Sequence, residues 1–86
     1  MRIGPAGAHI LETEINGEIS LYDPRSESVL VLNHTASDVW RLSDGEHTLE
    51  EVVELLGAAY GIKPAEIRSD VEQTVAKLIE EGFLEA

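Results

Sequence analysis

The feature that most constrains the fold of this chain is an apolar strand that runs directly into a helix. Residues 29–32 read Val-Leu-Val-Leu, and Asn33 alone separates them from an amphipathic stretch beginning at His34. Asn is favoured at a helix N-cap, because its side-chain oxygen accepts a backbone N–H from the first turn. Four consecutive apolar residues lack the alternation of a half-exposed strand, so cover is expected on both faces. In a chain of 86 residues that cover is either its own core or a partner.

The first third of the sequence predicts a three-stranded antiparallel meander. Asn16-Gly17 is the strongest short signal for a hairpin turn, because both positions of a type I′ turn need a positive φ. Asp23-Pro24 begins a second turn, with each residue at a position that favours it. These turns separate predicted strands at residues 8–15, 18–22 and 27–32, and residues 1–7 are expected to be loose.

The remaining residues predict three helices, because their apolar side chains recur at helical spacing. Thr48 and Glu51 match a capping box at the start of the second helix, and Pro64 suits the first turn of the third. The predicted fold class is therefore α+β, similar to a winged helix-turn-helix. It is a single domain over residues 1–86, in which a three-stranded antiparallel sheet precedes helices at about residues 34–43, 48–60 and 64–81.

Acidic residues dominate the charge, since 17 Asp and Glu against 6 Lys and Arg give a net charge of −11. Nucleic-acid binding relies on Lys and Arg to neutralise phosphates, so this balance argues against DNA or RNA as a partner. It suits a basic partner such as a cationic peptide. The alternative is a solvated acidic surface that serves only solubility.

No pattern in the sequence predicts catalysis, a cofactor or a metal site. The chain has no cysteine, which favours a reducing cytoplasm, and its three histidines fall in different elements without helical pairing. Its carboxylates do not lie in apolar runs that would tune them for acid–base work. Trp40 is expected to anchor the core rather than to form a ligand platform. No apolar run approaches the roughly 20 residues of a membrane span, so we predict neither an enzyme nor a membrane protein.

The helix pattern also allows a DNA-binding winged helix, in which one helix presents Arg and Lys to the groove. The second helix instead carries Glu50, Glu51 and Glu54 without any Lys or Arg, and the third carries Arg68 and Lys77 among five acidic residues. The sequence therefore predicts the shape of such a fold without its DNA function.

A three-stranded sheet also leaves open edges, to which an extended peptide can add a strand. The third strand is the most apolar, and the third helix would form a groove beside it; the alternative is that this strand is the centre of the core. Only two of its four apolar side chains can face the groove, and the sequence leaves open which two. Thr74 is either a groove residue or an ordinary boundary residue. The predicted peptide-binding residues are Val29, Leu30, Val31, Leu32, Val71, Thr74, Val75 and Leu78, with Glu27 and Asp70 as rim carboxylates.

Short motifs follow one another in a characteristic order from about residue 9 onwards. They are Tyr22-Asp23-Pro24, Leu32-Asn33, Thr35-Ala36, Val39-Trp40, Asp44-Gly45, Thr48-Leu49-Glu50-Glu51, Tyr60-Gly61, Pro64, Asp70-Val71 and Leu78-Ile79-Glu80-Glu81-Gly82-Phe83-Leu84. Their order resembles that of the PqqD family, the precursor-peptide recognition elements of ribosomally made, modified peptides. The resemblance implies a non-catalytic domain that binds a leader segment beside the third strand, in the groove with the third helix, and delivers it to a modifying enzyme.

The resemblance is compatible with two pathways. One is a split lasso-peptide processing system, in which a separate cysteine peptidase is the partner; the other is the PqqD type, which serves a radical SAM enzyme. The charge of −11 suits the basic leaders common in lasso systems, so the lasso type is favoured. The expected partners are a basic leader peptide and one of these enzymes, with no nucleic acid and no membrane. A winged-helix DNA-binding regulator is the third alternative.

Overall fold

The computed structural model describes residues 2–86 and confirms the α+β class. Its strands are β1 (Arg2–Pro5), β2 (Leu11–Ile15), β3 (Glu18–Asp23), β4 (Ser28–Val31), β5 (His47–Thr48) and β6 (Leu84–Glu85). Its helices are α1 (His34–Leu42), α2 (Leu49–Tyr60) and α3 (Pro64–Glu80). The three predicted strands and three predicted helices are all present, within a few residues of their expected bounds.

The meander β2-β3-β4 forms an antiparallel sheet with β3 in the middle. Asn16 and Gly17 have φ of 53° and 82°, as the predicted turn between β2 and β3 requires. Ile19 and Leu21 on β3 are fully buried, so one face of this sheet packs on the core. The middle strand is therefore the one that fixes the sheet to the helices.

A second sheet, in the order β5-β1-β6, corrects the expectation that residues 1–7 are loose. Arg2–Pro5 form β1, Ile3 is buried, and the Ile3 carbonyl accepts the Gly45 N–H at 2.8 Å. Four residues that include Gly and Pro give no alternation signal, and the strands that pair with β1 are only two residues long and distant in sequence. Met1 lies outside the described residues.

The helices begin and end where the local sequence predicts. The Asn33 side chain accepts the Ala36 N–H at 2.8 Å and caps α1. Thr48 and Glu51 exchange both hydrogen bonds of the capping box at the start of α2. Gly61 ends α2 in the left-handed conformation, with φ of 68°. Local capping chemistry thus accounts for the start of α1 and for both ends of α2.

The core draws on both sheets and all three helices. Trp40 is buried, and its indole N–H donates to Glu12 Oε1 at 3.0 Å, so its predicted role as a core anchor is confirmed. Phe83 and Leu84 are buried after α3, and the Phe83 N–H donates to the Leu78 carbonyl at 2.8 Å. Within residues 2–86, no helix combines the length and hydropathy needed to cross a bilayer.

Candidate functional site

A groove of about 510 Å³ lies between the end of β4 and α3. Its walls come from two parts of the chain that the sequence predicts to be neighbours. The strand and the start of α1 contribute Leu30, Val31, Leu32, Asn33, Thr35 and Ala36, and α3 contributes Asp70, Gln73, Thr74, Lys77 and Leu78. The groove is large enough for several side chains of an extended segment.

The backbone of β4 is paired on one side only, since β4 is an edge strand of its sheet. The Leu32 N–H donates to the Ile19 carbonyl at 2.8 Å, and Leu30 lies opposite Leu21. In an antiparallel pair, hydrogen-bonded residues alternate with residues whose N–H and C=O point away. The free backbone groups of β4 are therefore those of Val29 and Val31.

The side chains of β4 divide between the two faces of the sheet. Leu30 is partly buried and Leu32 is buried on the face toward the helices, whereas Val29 and Val31 are 64% and 67% exposed on the other face. Leu30 and Leu32 are thus the pair whose side chains lie on the groove side. The chain itself covers only one face of this strand, because the helices pack on one face of the sheet and leave Val29 and Val31 exposed on the other.

The α3 wall is rotated relative to the sequence prediction. Thr74 and Leu78 line the groove as predicted, but Val71 and Val75 are buried in the core and do not line it. The Thr74 hydroxyl donates to the Asp70 carbonyl of its own helix at 2.8 Å. The groove therefore meets the boundary between the polar and apolar sides of α3.

Residues missed by the sequence prediction lie along this boundary and at the β4–α1 junction. Gln73 and Lys77 share a helical stripe with Asp70 and Thr74, at spacings of three and four residues. This spacing of polar residues is visible in the sequence, whereas the apolar stripe on which the prediction rests faces the core. Of the two predicted rim carboxylates, Asp70 lines the groove; Glu27 lies in the turn before β4, with φ of 58°, and does not.

Ser37 connects the groove strand to α1. It is fully buried, its Oγ accepts the Ile19 N–H at 2.9 Å, and its hydroxyl donates to the Leu32 carbonyl at 3.4 Å. One of the two backbone bonds expected between Ile19 and Leu32 is therefore replaced by a bridge through this hydroxyl. Ser37 thus fixes the point at which β4 ends and α1 begins, and the groove lies at this junction.

A polar network on the far side of α1 holds the β2–β3 hairpin in place. Arg41 donates to Asp38 and to Glu14, both at 2.6 Å. Tyr60 at the end of α2 donates its hydroxyl to the same Asp38. Burial, followed by the hydrogen bond and charge of Asp38, raises the pKa of Tyr60 to about 12. None of these four side chains lines the groove, and they hold the β2–β3 hairpin against α1.

The described residues 2–86 contain no group of three His, Cys, Asp or Glu side chains placed to hold a metal ion. The groove itself carries one carboxylate, Asp70, and one ammonium group, Lys77. Its remaining lining is apolar or uncharged. This arrangement is suited to holding an extended chain through backbone hydrogen bonds and apolar side-chain contacts.

Comparison with known proteins gives one family and two solved structures. The family model described as Coenzyme PQQ synthesis protein D (PqqD) matches residues 18–84. No curated protein sequence matches the chain.

Both solved structures share the fold over all of this chain. One is TbiB1 in complex with the TbiA(beta) leader peptide, with a TM-score of 0.83, 21% identity and 96% of its own chain covered. The other is a lasso peptide synthetase B1 complexed with the leader peptide, with a TM-score of 0.84, 21% identity and 100% of its chain covered.

Proposed function

The chain belongs to the PqqD family, and we propose that it binds the leader segment of a ribosomally made precursor peptide as an added strand on β4. The open edge of β4 is the observation that carries this proposal. Val29 and Val31 direct free N–H and C=O groups to that edge, beside the groove formed with α3. The two similar solved structures are both complexes with a leader peptide, which supports the same function here.

Backbone pairing and side-chain burial play different parts in this mode of binding. Hydrogen bonds to Val29 and Val31 align any extended segment, because they do not depend on side-chain identity. Alternate side chains of that segment then enter the groove against Leu32, Ala36 and Leu78. Full burial of one Leu-sized side chain contributes about 1.5–3 kcal/mol, from which the cost of ordering the peptide must be subtracted.

A lasso-type leader is the favoured ligand, and a separate peptidase is the favoured enzyme partner. One of the two similar structures is a lasso peptide synthetase B1 complexed with the leader peptide, and the net charge of −11 suits a basic leader. A PqqD-type role beside a radical SAM enzyme is the second candidate, which the description of the matching family favours.

We assign the chain a binding role without catalysis of its own. Asp70 and Lys77, the charged side chains of the groove, are both exposed to solvent. They therefore lack the desolvation by which proteins tune a carboxylate or an amine for proton transfer. The chemistry is assigned to the enzyme partner.

Titration calorimetry with the leader encoded beside the gene for this chain tests the proposal. A one-to-one complex is expected, and a scrambled peptide of the same composition is the matched control. Leaders from lasso-type and PQQ-type precursors, titrated under the same conditions, distinguish the two pathways by affinity. The absence of binding heat and of chemical-shift changes with every leader would contradict the function.

A further inference from the structure

The face of the β2-β3-β4 sheet that points away from the helices carries several exposed apolar side chains, with Thr13 and Ser20 between them. The strand register places Leu11, Tyr22 and Val29 side by side across the three strands. Val31 lies in the next row, and Ile15 lies at the far end of β2. We call these five residues the outer patch. They share one face because residues opposite each other in a sheet, and every second residue along a strand, point the same way.

Solvent exposure sets the outer patch apart from the rest of the molecule. Leu11, Ile15, Val29 and Val31 are 55–69% exposed, whereas the corresponding inner positions on β3 are fully buried. The other large exposed apolar side chains, such as Leu55, are single residues on or beside helices. A clustered apolar surface of this kind marks an interaction site more often than single exposed residues do.

The outer patch is continuous with the edge of β4 assigned to the peptide. Val29 and Val31 direct their backbone groups to that edge and their side chains to the patch. A protein bound to the patch would therefore lie directly beside a peptide bound to the edge. An enzyme bound there would be close enough to receive the peptide.

We propose that the outer patch docks the processing enzyme, through an apolar surface on that enzyme bordered by basic residues. The inference rests on the proposed leader-binding function. The charge of −11 selects a basic surrounding on the partner, and Glu18 next to Ile15 places one acidic side chain at the rim. The same charge disfavours a second copy, because two chains of −11 would face each other across the patch.

The test measures binding of the purified peptidase encoded beside this chain's gene, with and without the leader. Leu11→Glu and Ile15→Glu should each weaken peptidase binding at least about tenfold. The matched control is Leu55→Glu, at an exposed leucine outside the patch, which should stay within about twofold. Each variant adds a negative charge that would speed association with a basic partner, so weaker binding reports the lost apolar contact.

Leader affinity of the same variants separates this inference from the proposed function. Leu11 and Ile15 lie on β2, on the far side of β3 from the β4 edge, so their leader affinity should match that of the wild type. One possible result is that the wild type binds the peptidase but no leader, and that the patch variants lose peptidase binding. This result would refute the proposed function but support the docking surface. The docking surface is refuted by unchanged peptidase binding in both variants, by a wild type that does not bind the peptidase, or by a dimer that Leu11→Glu dissociates.

Discussion

At the scale of single residues, Ser37 shows how one hydroxyl helps to set the geometry of the groove beside β4. Its Oγ is the acceptor for the Ile19 N–H at 2.9 Å inside the core. Neither strand alone supplies that acceptor, because the Leu32 carbonyl is engaged through the same hydroxyl. The end of β4 therefore depends on a side chain from the following helix.

Ser37→Ala should destabilise the protein, because it leaves the buried Ile19 N–H without a partner. We expect a loss of about 1–3 kcal/mol in the free energy of unfolding, measured by urea denaturation. Ser26→Ala is the matched control, since the Ser26 hydroxyl donates to Ser28 at the exposed surface, and it should change stability by less than about 0.5 kcal/mol. Equal effects of the two substitutions would contradict the role given to Ser37.

Thr74 is the residue at which a substitution should block the groove without unfolding the protein. It lines the groove at the boundary of α3, where a long side chain can extend over the opening. We expect Thr74→Arg to weaken leader binding at least about tenfold with a nearly unchanged melting temperature. Ala76→Arg adds the same side chain at an exposed position of α3 outside the groove, and should bind the leader normally. If the folded Thr74→Arg variant bound the leader with full affinity, the leader would have to bind at a different edge.

The two acidic residues first assigned to the rim should differ in their effect on association. Asp70 lines the groove and Glu27 does not. In stopped-flow measurements with a basic leader, Asp70→Lys should slow association more than Glu27→Lys does. The difference should shrink as salt shortens the screening length from about 30 Å at 0.01 M to about 8 Å at 0.15 M. Equal slowing by both substitutions would mean that only net charge matters.

At the scale of elements, the alternation of backbone groups along β4 gives neighbouring residues different tasks. Proline removes an N–H donor, so its effect depends on where that donor points. Val31→Pro should abolish leader binding by removing a free donor, with a modest fall in melting temperature. Leu30→Pro should lower the unfolding free energy by at least about 1 kcal/mol, since its donor pairs with Leu21. Circular dichroism melts together with leader titrations measure both effects, and the reverse order would contradict the assigned register.

The sequence predicts those elements whose signals are local. The Asn16-Gly17 turn, the Asn33 cap and the Thr48–Glu51 capping box each depend on residues within one turn of each other, and each is found as predicted. Strand β1 could not be predicted in this way, because its stability comes from pairing with β5 and β6 at distant positions.

The groove shows the same limit on prediction from sequence. That β4 and α3 lie side by side follows from the order of elements and from the family resemblance. The rotation of α3 does not follow, because an amphipathic helix has two boundaries between its apolar and polar sides. The structure buries Val71 and Val75 and turns Gln73 and Lys77 toward β4. Packing against α1 and α2 selects between the two boundaries, and this is a property of the assembled core.

At the scale of the whole molecule, stability should depend on pH through His47 and Asp44, whose Nδ1 and Oδ1 are 3.0 Å apart. The hydrogen bond to Asp44 raises the pKa of His47 above its ordinary 6.5. The Glu46 N–H, and then His47 itself, lower the pKa of Asp44. The stabilisation of the folded protein by His47 is thus complete below the ordinary pKa of this residue, and it is lost as the pH rises through the raised pKa. The stabilisation by Asp44 is present above its ordinary pKa and is lost as the pH falls through the lowered value.

The melting temperature should therefore fall as the pH rises from about 6.5 through the raised pKa of His47, and it should fall less in His47→Gln. Differential scanning calorimetry across this range measures the change. His34→Gln, which removes an exposed histidine of α1, is the matched control and should keep the wild-type decline. An identical decline in wild type and His47→Gln would assign the pH dependence to other groups.

The unpaired edge of β4 also makes the protein prone to aggregation, because an exposed strand edge can pair with the edge of another copy. Its segment, Val-Leu-Val, is apolar and uncharged, and two of its three side chains are largely exposed. The electrostatic repulsion between chains that each carry a net charge of −11 opposes this aggregation at neutral pH. That repulsion vanishes near the isoelectric point of about 4.4. Concentrated stocks should therefore aggregate on acidification toward that pH, and a ligand that occupies the edge should act as a formulation stabiliser.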